Sequence, residues 1–212
     1  CSLLSKSAAI SFSLLLFLLD YYFNRKATLK NIFEKIPFLL LSLIFGLVAI
    51  SSQSLSGAIR VAPDFAGIDR VLISCYGILF YIAKLFVPVN LSALYLYPQK
   101  VNDMLPWVFY LSPVIILLLA IGIYKAKKLK KELIFGVLFY LVSIVLVLQI
   151  IPVGRALVAD RYSYIPYIGL LYVIAEFYLK LPLFFRSSVK AKKTIFTFSL
   201  LAAVVICAGL TF

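Results

Sequence analysis

The sequence predicts an all-α fold, a polytopic transmembrane helix bundle, and three observations carry that expectation. The chain is 64% hydrophobic and only 14% charged, with a mean hydropathy of +1.09, far from the make-up of a soluble globular domain. Its apolar residues gather into long continuous runs rather than alternating. That favours helices over barrel strands, because lipid offers no partners for open backbone groups. Its cations concentrate in the short segments between those runs.

Crossing the hydrocarbon takes about 20 mostly apolar helical residues. The runs of that kind are 8–23, 37–53, 71–87, 106–124, 133–152, 166–182 and 194–212. The first two flank a basic loop holding Arg25, Lys26, Lys30 and Lys35. The third is flanked by Arg70 and Lys84 and stopped by Pro88. The fourth and fifth enclose Lys125, Lys127, Lys128, Lys130 and Lys131, and the last two enclose Lys180, Arg186, Lys190, Lys192 and Lys193. No tandem repeat is present, and the whole chain reads as one transmembrane domain.

Counting crossings fixes the topology. If all seven runs crossed, the loops at 24–36 and 125–131 would face opposite sides, against the tendency of basic loops to stay in the cytoplasm. The conflict disappears if 71–87 is an interfacial or re-entrant helix, followed by the irregular stretch VPVNLSALYLYPQKVNDML. Six spans remain, and the outer face collects residues 54–105 and 153–165. Tyr95, Tyr97, Trp107, Tyr162, Tyr164 and Tyr167 then lie near the boundaries, as interfacial aromatics do.

The balance of 21 Lys+Arg against 8 Asp+Glu would suggest nucleic acid in a soluble protein. The gathering of 14 of those 21 cations around three short loops points to membrane lipid instead, with no nucleic acid as partner. The absence of histidine excludes His-dependent triads and most zinc sites. Cys1, Cys75 and Cys207 lack metal-ligand spacing, so neither a disulfide framework nor a metal site is expected. The chain opens on Cys1 without a signal-like charged region, and its true start is expected upstream. A lipoprotein terminus would begin with Cys-Ser too, but would continue into a polar tether.

The most polar outer element is VGRALVADRYSYIPYIG. Arg155, Asp160 and Arg161 stand there at the mouth of two helices. Arginine presents forked donors that match phosphate oxygens, and low dielectric strengthens each contact. The bland alternative is an ion pair of Asp160 with Arg161 or Arg155 that only pins a loop. Lys6 faces the same side as a third phosphate contact, or as a snorkelling helix-end lysine. Lys84, Asn90, Tyr95 and Tyr97 are candidates to line an outer cavity, though an aromatic belt would look alike, and Asn90-Leu91-Ser92 also matches a short glycosylation pattern. Asp20 and Glu176 sit near cytoplasmic helix ends as structural acids, Glu176 having Lys180 four residues on. Asp64, Asp69 and Asp103 read as loop-solvating carboxylates.

Three ordered stretches, CSLLSKSAAISFSLLLFLLDYYF, FYIAKLFVPVNLSALYLYP and ADRYSYIPYIG, resemble the tetratricopeptide-repeat-containing membrane O-mannosyltransferases and their bacterial relatives, which have the glycosyltransferase-C fold. The resemblance spans most of residues 1–169. It implies a multi-pass enzyme taking a sugar, typically mannose, from a polyprenyl-phosphate carrier to a protein hydroxyl on the non-cytoplasmic side. It makes Lys6, Arg161 and Arg155 contacts to the carrier phosphate and Asp160 the residue orienting Arg161. It places the catalytic acid upstream of Cys1 and tetratricopeptide repeats after Phe212, so that this chain alone would be inactive and would hold no cofactor of its own, the donor being a polyprenyl-phosphate-linked sugar and the use of a divalent metal being left open.

Two other function classes fit the same residues. A transporter or flippase of lipid-linked sugars would need outward cations too, although paired interrupted helices are not evident. A non-catalytic anchor for an external repeat domain would lack the upstream acid. The expected location is a multi-pass integral membrane protein, with the bacterial cytoplasmic membrane favoured over the endoplasmic reticulum.

Overall fold

The computed structural model describes residues 7–26, 28–55, 65, 67–101, 103–126, 130–148, 150, 156–184, 197, 205 and 208–209. Lys6, Arg155, Cys1, Asp64, Cys207 and most of the run 194–212 lie outside the described residues.

Helix dominates, and local chemistry sets its boundaries. A 3-10 turn at Ser7–Ser11 leads into α1 (Phe12–Tyr22). α1 stops where Asn24 adopts a φ of 52°, a left-handed conformation that a short polar side chain tolerates. After the short α2 (Leu29–Phe33), α3 (Ile36–Leu55) opens with Pro37 in its first turn, where a missing N–H costs no helical bond. α4 (Ile68–Phe86) follows Gly67, whose φ of 52° suits glycine. It ends with the Val87 amide on the Ala83 carbonyl at 2.8 Å, just before Pro88. α5 spans Trp107–Lys125 and carries Pro113 internally. α6 (Lys130–Ile144) tightens into a 3-10 turn at Val145–Val147, and α7 covers Tyr164–Phe184.

Two details depart from the sequence expectation. The apolar run 133–152 holds a helix only to Ile144. At ~1.5 Å per residue α6 reaches about 22 Å, short of the ~30 Å hydrocarbon. The cluster of Val142, Ile144, Val145 and Val147 explains the tightening, since β-branched side chains crowd the preceding helical turn. The helices are also joined by a short antiparallel ribbon, β1 (Tyr95–Leu96) with β2 (Ala156–Val158). Tyr95 lies opposite Val158 and Leu96 opposite Ala156, with a bulge between them.

Among the described residues two helical stretches, Leu29–Leu55 and Trp107–Lys125, are by themselves long and apolar enough to cross a membrane. Protein covers little of either, with 11% of each apolar window buried. Leu43, Leu47 and Val48 on α3 and Val114, Leu117 and Leu118 on α5 are all exposed. A core helix of a water-soluble domain would bury such side chains.

α6 and α7 pack antiparallel at a close crossing. A Cβ added to Gly136 would lie 2.6 Å from the Gly169 carbonyl oxygen, and one added to Gly169 would lie 2.5 Å from that of Gly136. Small residues permit such approach where helices gain from van der Waals contact rather than from leaving water. α1 lies against α6 through Leu15, Leu18 and Phe135, with Tyr22 and Tyr172 beside them. The larger core gathers Leu72, Ile73 and Tyr81 of α4, Phe109 of α5, Tyr140 and Ile144 of α6, and Leu157 and Val158 of β2.

The two ends of the α6–α7 pair differ. At the lysine end, Lys131 Nζ donates to Asn24 Oδ1 at 2.9 Å, joining the first turn of α6 to the 24–35 loop. Asp20 pairs with Lys35 and with Arg25. Lys180 pairs with Glu132 and, at 3.7 Å, with Glu176. Segments far apart in sequence thus bring their cations together at one end. The ribbon and the Asp160 turn occupy the other end, beyond the start of α7 at Tyr164, which lies about 24 Å from Lys180 along the helix.

Candidate functional site

The turn between β2 and α7 is fixed before any of its charges act. Ala159 is extended, at φ −149° and ψ 132°, and is fully buried. The buried Tyr81 hydroxyl donates to its carbonyl oxygen at 3.1 Å and accepts its amide at 3.0 Å. One phenol therefore satisfies both polar groups of a buried residue that no ladder serves. Tyr167 Oη donates to the Tyr81 carbonyl at 2.9 Å, tying the start of α7 to α4. Ser163 closes the turn with its hydroxyl on the Asp160 carbonyl at 2.7 Å.

That framework aims Asp160 at the 88–97 loop. Its Oδ2 accepts the Ser92 amide at 2.6 Å and lies 3.0 Å from Tyr95 Oη. The Asp160 amide returns a long bond to the Ser92 carbonyl at 3.4 Å. Tyr95 Oη is also 2.7 Å from the Asn90 carbonyl oxygen, so its single proton is shared between two acceptors. Burial, and then the hydrogen bond to the Asp160 carboxylate, push the Tyr95 hydroxyl up to about 12. Both effects disfavour a phenolate beside a carboxylate.

Of the alternative in which Asp160 only pairs with Arg161 or Arg155, the described residues show no Asp160–Arg161 pair, and Arg155 lies outside them. The Asp160 carboxylate turns to neutral donors on the loop, while Arg161 is exposed and leans on its neighbour. Its Nη2 sits 3.4 Å from Tyr162 Oη and its guanidinium 5.3 Å from the Tyr162 ring centroid. That hydrogen bond raises the arginine's already high pKa. The physical reason for the separation is that adjacent residues in a 3-10 turn point about 120° apart. Asp160 thus positions the turn that bears Arg161 without touching its guanidinium.

Lys84 turns to the loop that follows its helix. Its ammonium donates to the Val89 carbonyl and, at 3.2 Å, to the Asn90 carbonyl, and lies 5.4 Å from the Phe80 ring and 5.5 Å from that of Tyr95. It closes the loop that follows α4. Tyr97 belongs to a separate group: it stacks on Phe65 at 5.4 Å, and burial raises its hydroxyl pKa. The structure thus brings together Lys84, Asn90, Tyr95 and Asp160 beside Arg161, and leaves Tyr97 apart. Asp69 pairs with Lys100 at 2.8 Å, and Asp103 is exposed.

Ser92 and Tyr81 are the participants the sequence did not single out as a pair with this turn. Ser92 acts through its backbone amide, which any residue but proline offers. Tyr81 lies in an apolar run where a tyrosine reads as core. Among the described residues no cluster of three or more Cys, Asp or Glu side chains is arranged to hold a metal ion. No family model, curated protein or solved structure matches the chain.

Proposed function

We propose that the chain is part of a multi-pass membrane glycosyltransferase, which takes a sugar, mannose foremost, from a polyprenyl-phosphate carrier and gives it to a protein hydroxyl on the face bearing Arg161. One observation carries this: the stretches 80–98 and 159–169, two of the three that resemble membrane O-mannosyltransferases, meet in one hydrogen-bonded network around Asp160. Next to that network stands Arg161, a cation with no carboxylate partner among the described residues.

The membrane setting has its own support. Two apolar helices are left largely uncovered by protein, and the described cations Lys35, Lys131 and Lys180 gather at the end away from Arg161. With that end in the cytoplasm, the charge distribution follows the positive-inside tendency. Arg161 then faces outward.

The chemistry asked of this chain is electrostatic. A carrier phosphate gains negative charge as the sugar leaves it, and a preorganised cation at that point lowers the barrier. Arg161 supplies forked donors. The turn that carries it is held from three directions, by Tyr81, Ser163 and the Asp160–Ser92 bond. The acceptor's proton would go to an acid that the resemblance places upstream of Cys1.

A transfer assay with the full-length protein in vesicles, using polyprenyl-phosphate mannose as donor, tests this. Arg161→Gln is expected to lower kcat/KM for the donor by about 100-fold, the scale of losing one transition-state charge contact. Lys131→Gln, at the lysine end, should stay within about twofold of wild type, as a surface charge would. Equal losses from the two substitutions would remove Arg161 from the phosphate site.

A further inference from the structure

Between the first turns of α4 and the last turns of α6 lies a cavity of about 490 Å³, lined by Arg70, Ser74, Cys75 and Ile78 on one side and by Leu141 and Val145 among others on the opposite side. Its volume is roughly three times that of the ~150 Å³ apolar cavity that holds benzene without water. The wall offers little to a polar ligand. The Ser74 hydroxyl is committed to the Arg70 and Leu148 carbonyls at 2.8 and 2.9 Å.

Among the described residues the single charged group in the lining is Arg70. Its Nε donates to the Phe65 carbonyl at 3.0 Å, which steadies the guanidinium, and no described carboxylate pairs with it. The adjacent Asp69 is engaged by Lys100 at 2.8 Å. An apolar slot with one arginine in its wall matches a hydrocarbon chain ending in an anion. The Arg161 turn packs at Tyr81, eleven residues from Arg70 and about 16 Å along α4. A single phosphate does not reach both arginines.

We propose that this cavity binds one acyl chain of an anionic membrane phospholipid, with Arg70 taking the lipid phosphate, at a site separate from the Arg161 turn. The proposal rests on the membrane setting argued above but not on glycosyl transfer. The shape and the charge both favour a lipid carrying its own phosphate over the distant tail of a lipid held at Arg161.

Cys75, half-buried in the cavity wall, serves as the probe. The full-length protein with Cys75 as its sole cysteine is reconstituted in phosphatidylcholine vesicles, with or without phosphatidylglycerol, and Cys75 labelling by a maleimide is timed. Phosphatidylglycerol is expected to slow labelling about tenfold, equivalent to ~1.4 kcal/mol. Arg70→Gln should return the rate to the phosphatidylcholine value, and Arg70→Lys should keep most of the protection. Equal rates in both lipids would overturn the proposal without reference to any variant. Protection by polyprenyl phosphate but not by phosphatidylglycerol would overturn it too, and give the cavity to the carrier. Flotation of the same samples separates the failures: a chain that floats but shows no headgroup effect loses only this site, whereas one that fails to float loses the membrane setting as well.

Discussion

The two ends of the α6–α7 pair use charge in opposite ways. At the lysine end, acids meet cations directly: Asp20 takes Lys35 and Arg25, and Glu132 and Glu176 share Lys180. Those charges neutralise one another and tie loops together. At the ribbon end the acid and the cation are neighbours in sequence yet kept apart, Asp160 held by the Ser92 amide and Tyr95 hydroxyl and Arg161 resting on Tyr162. A carboxylate satisfied by neutral donors leaves the adjacent guanidinium's charge uncancelled at short range. The difference teaches that the lysine end is built to hold and the ribbon end to present.

The crossing between the ends should matter most, because both depend on its register. Gly136→Leu would drive a side chain into the Gly169 carbonyl, and overpacking of that kind costs about 3 kcal/mol. The expected result in detergent is a lower unfolding midpoint and loss of the Lys180–Glu132 and Tyr167–Tyr81 ties together. If Gly136→Leu loosened only one end, judged by proteolysis of the 24–35 and 88–97 loops, the ends would not share a register.

Asp160→Ala comes next. It strands the Ser92 amide and half of Tyr95's bonding, a loss of about 2 kcal/mol on the scale of a hydrogen bond to a charged group. Hydrogen exchange should quicken at Ser92 and along β1 while the 24–35 loop keeps its protection. Unchanged exchange at Ser92 would mean the carboxylate does not hold the loop.

Much of this was legible in the sequence, and the reasons are local. α3 and α5 were visible because their apolar runs are long and unbroken, so length and composition suffice. The polar ADRY segment stood out against apolar flanks, and the Glu176–Lys180 pair followed from helical spacing. Other features depend on partners that sequence does not mark. Asp160 meets a backbone amide, the Tyr81 clamp joins residues 78 apart, and Lys84 is consumed by carbonyls. The ribbon's strands of two and three residues are too short to show alternation. The end of α6 at Ile144 was hidden because β-branched apolar residues serve a buried helix and an irregular turn equally well.

At the lysine end the effects should be smaller and pH-dependent in a defined direction. The hydrogen bond from Lys180 holds the Glu132 carboxyl below its ordinary value. Its contribution is therefore present above the unfolded glutamate pKa of about 4.3 and is lost as pH falls through the lower folded value. Glu132→Gln should remove about 0.5 kcal/mol near neutrality, as a partly exposed pair does. It should flatten the acid limb of the stability profile, and an unaltered limb would mean that the pair contributes nothing.

The ribbon end makes the complementary test at high pH. Tyr95 is raised rather than lowered, so the neutral phenol is the form the fold favours. Its stabilising effect is complete below the unfolded tyrosine pKa of about 10 and disappears as pH climbs through about 12. The ultraviolet titration of wild type minus that of Tyr95→Phe should show one tyrosine ionising near the upper value. Asp160→Asn should bring that step down, because it removes the negative charge while leaving an acceptor for the phenol. A difference curve centred near 10 in both backgrounds would show that the Asp160 charge does not act on Tyr95, and the contrast between the two ends would then rest on geometry alone.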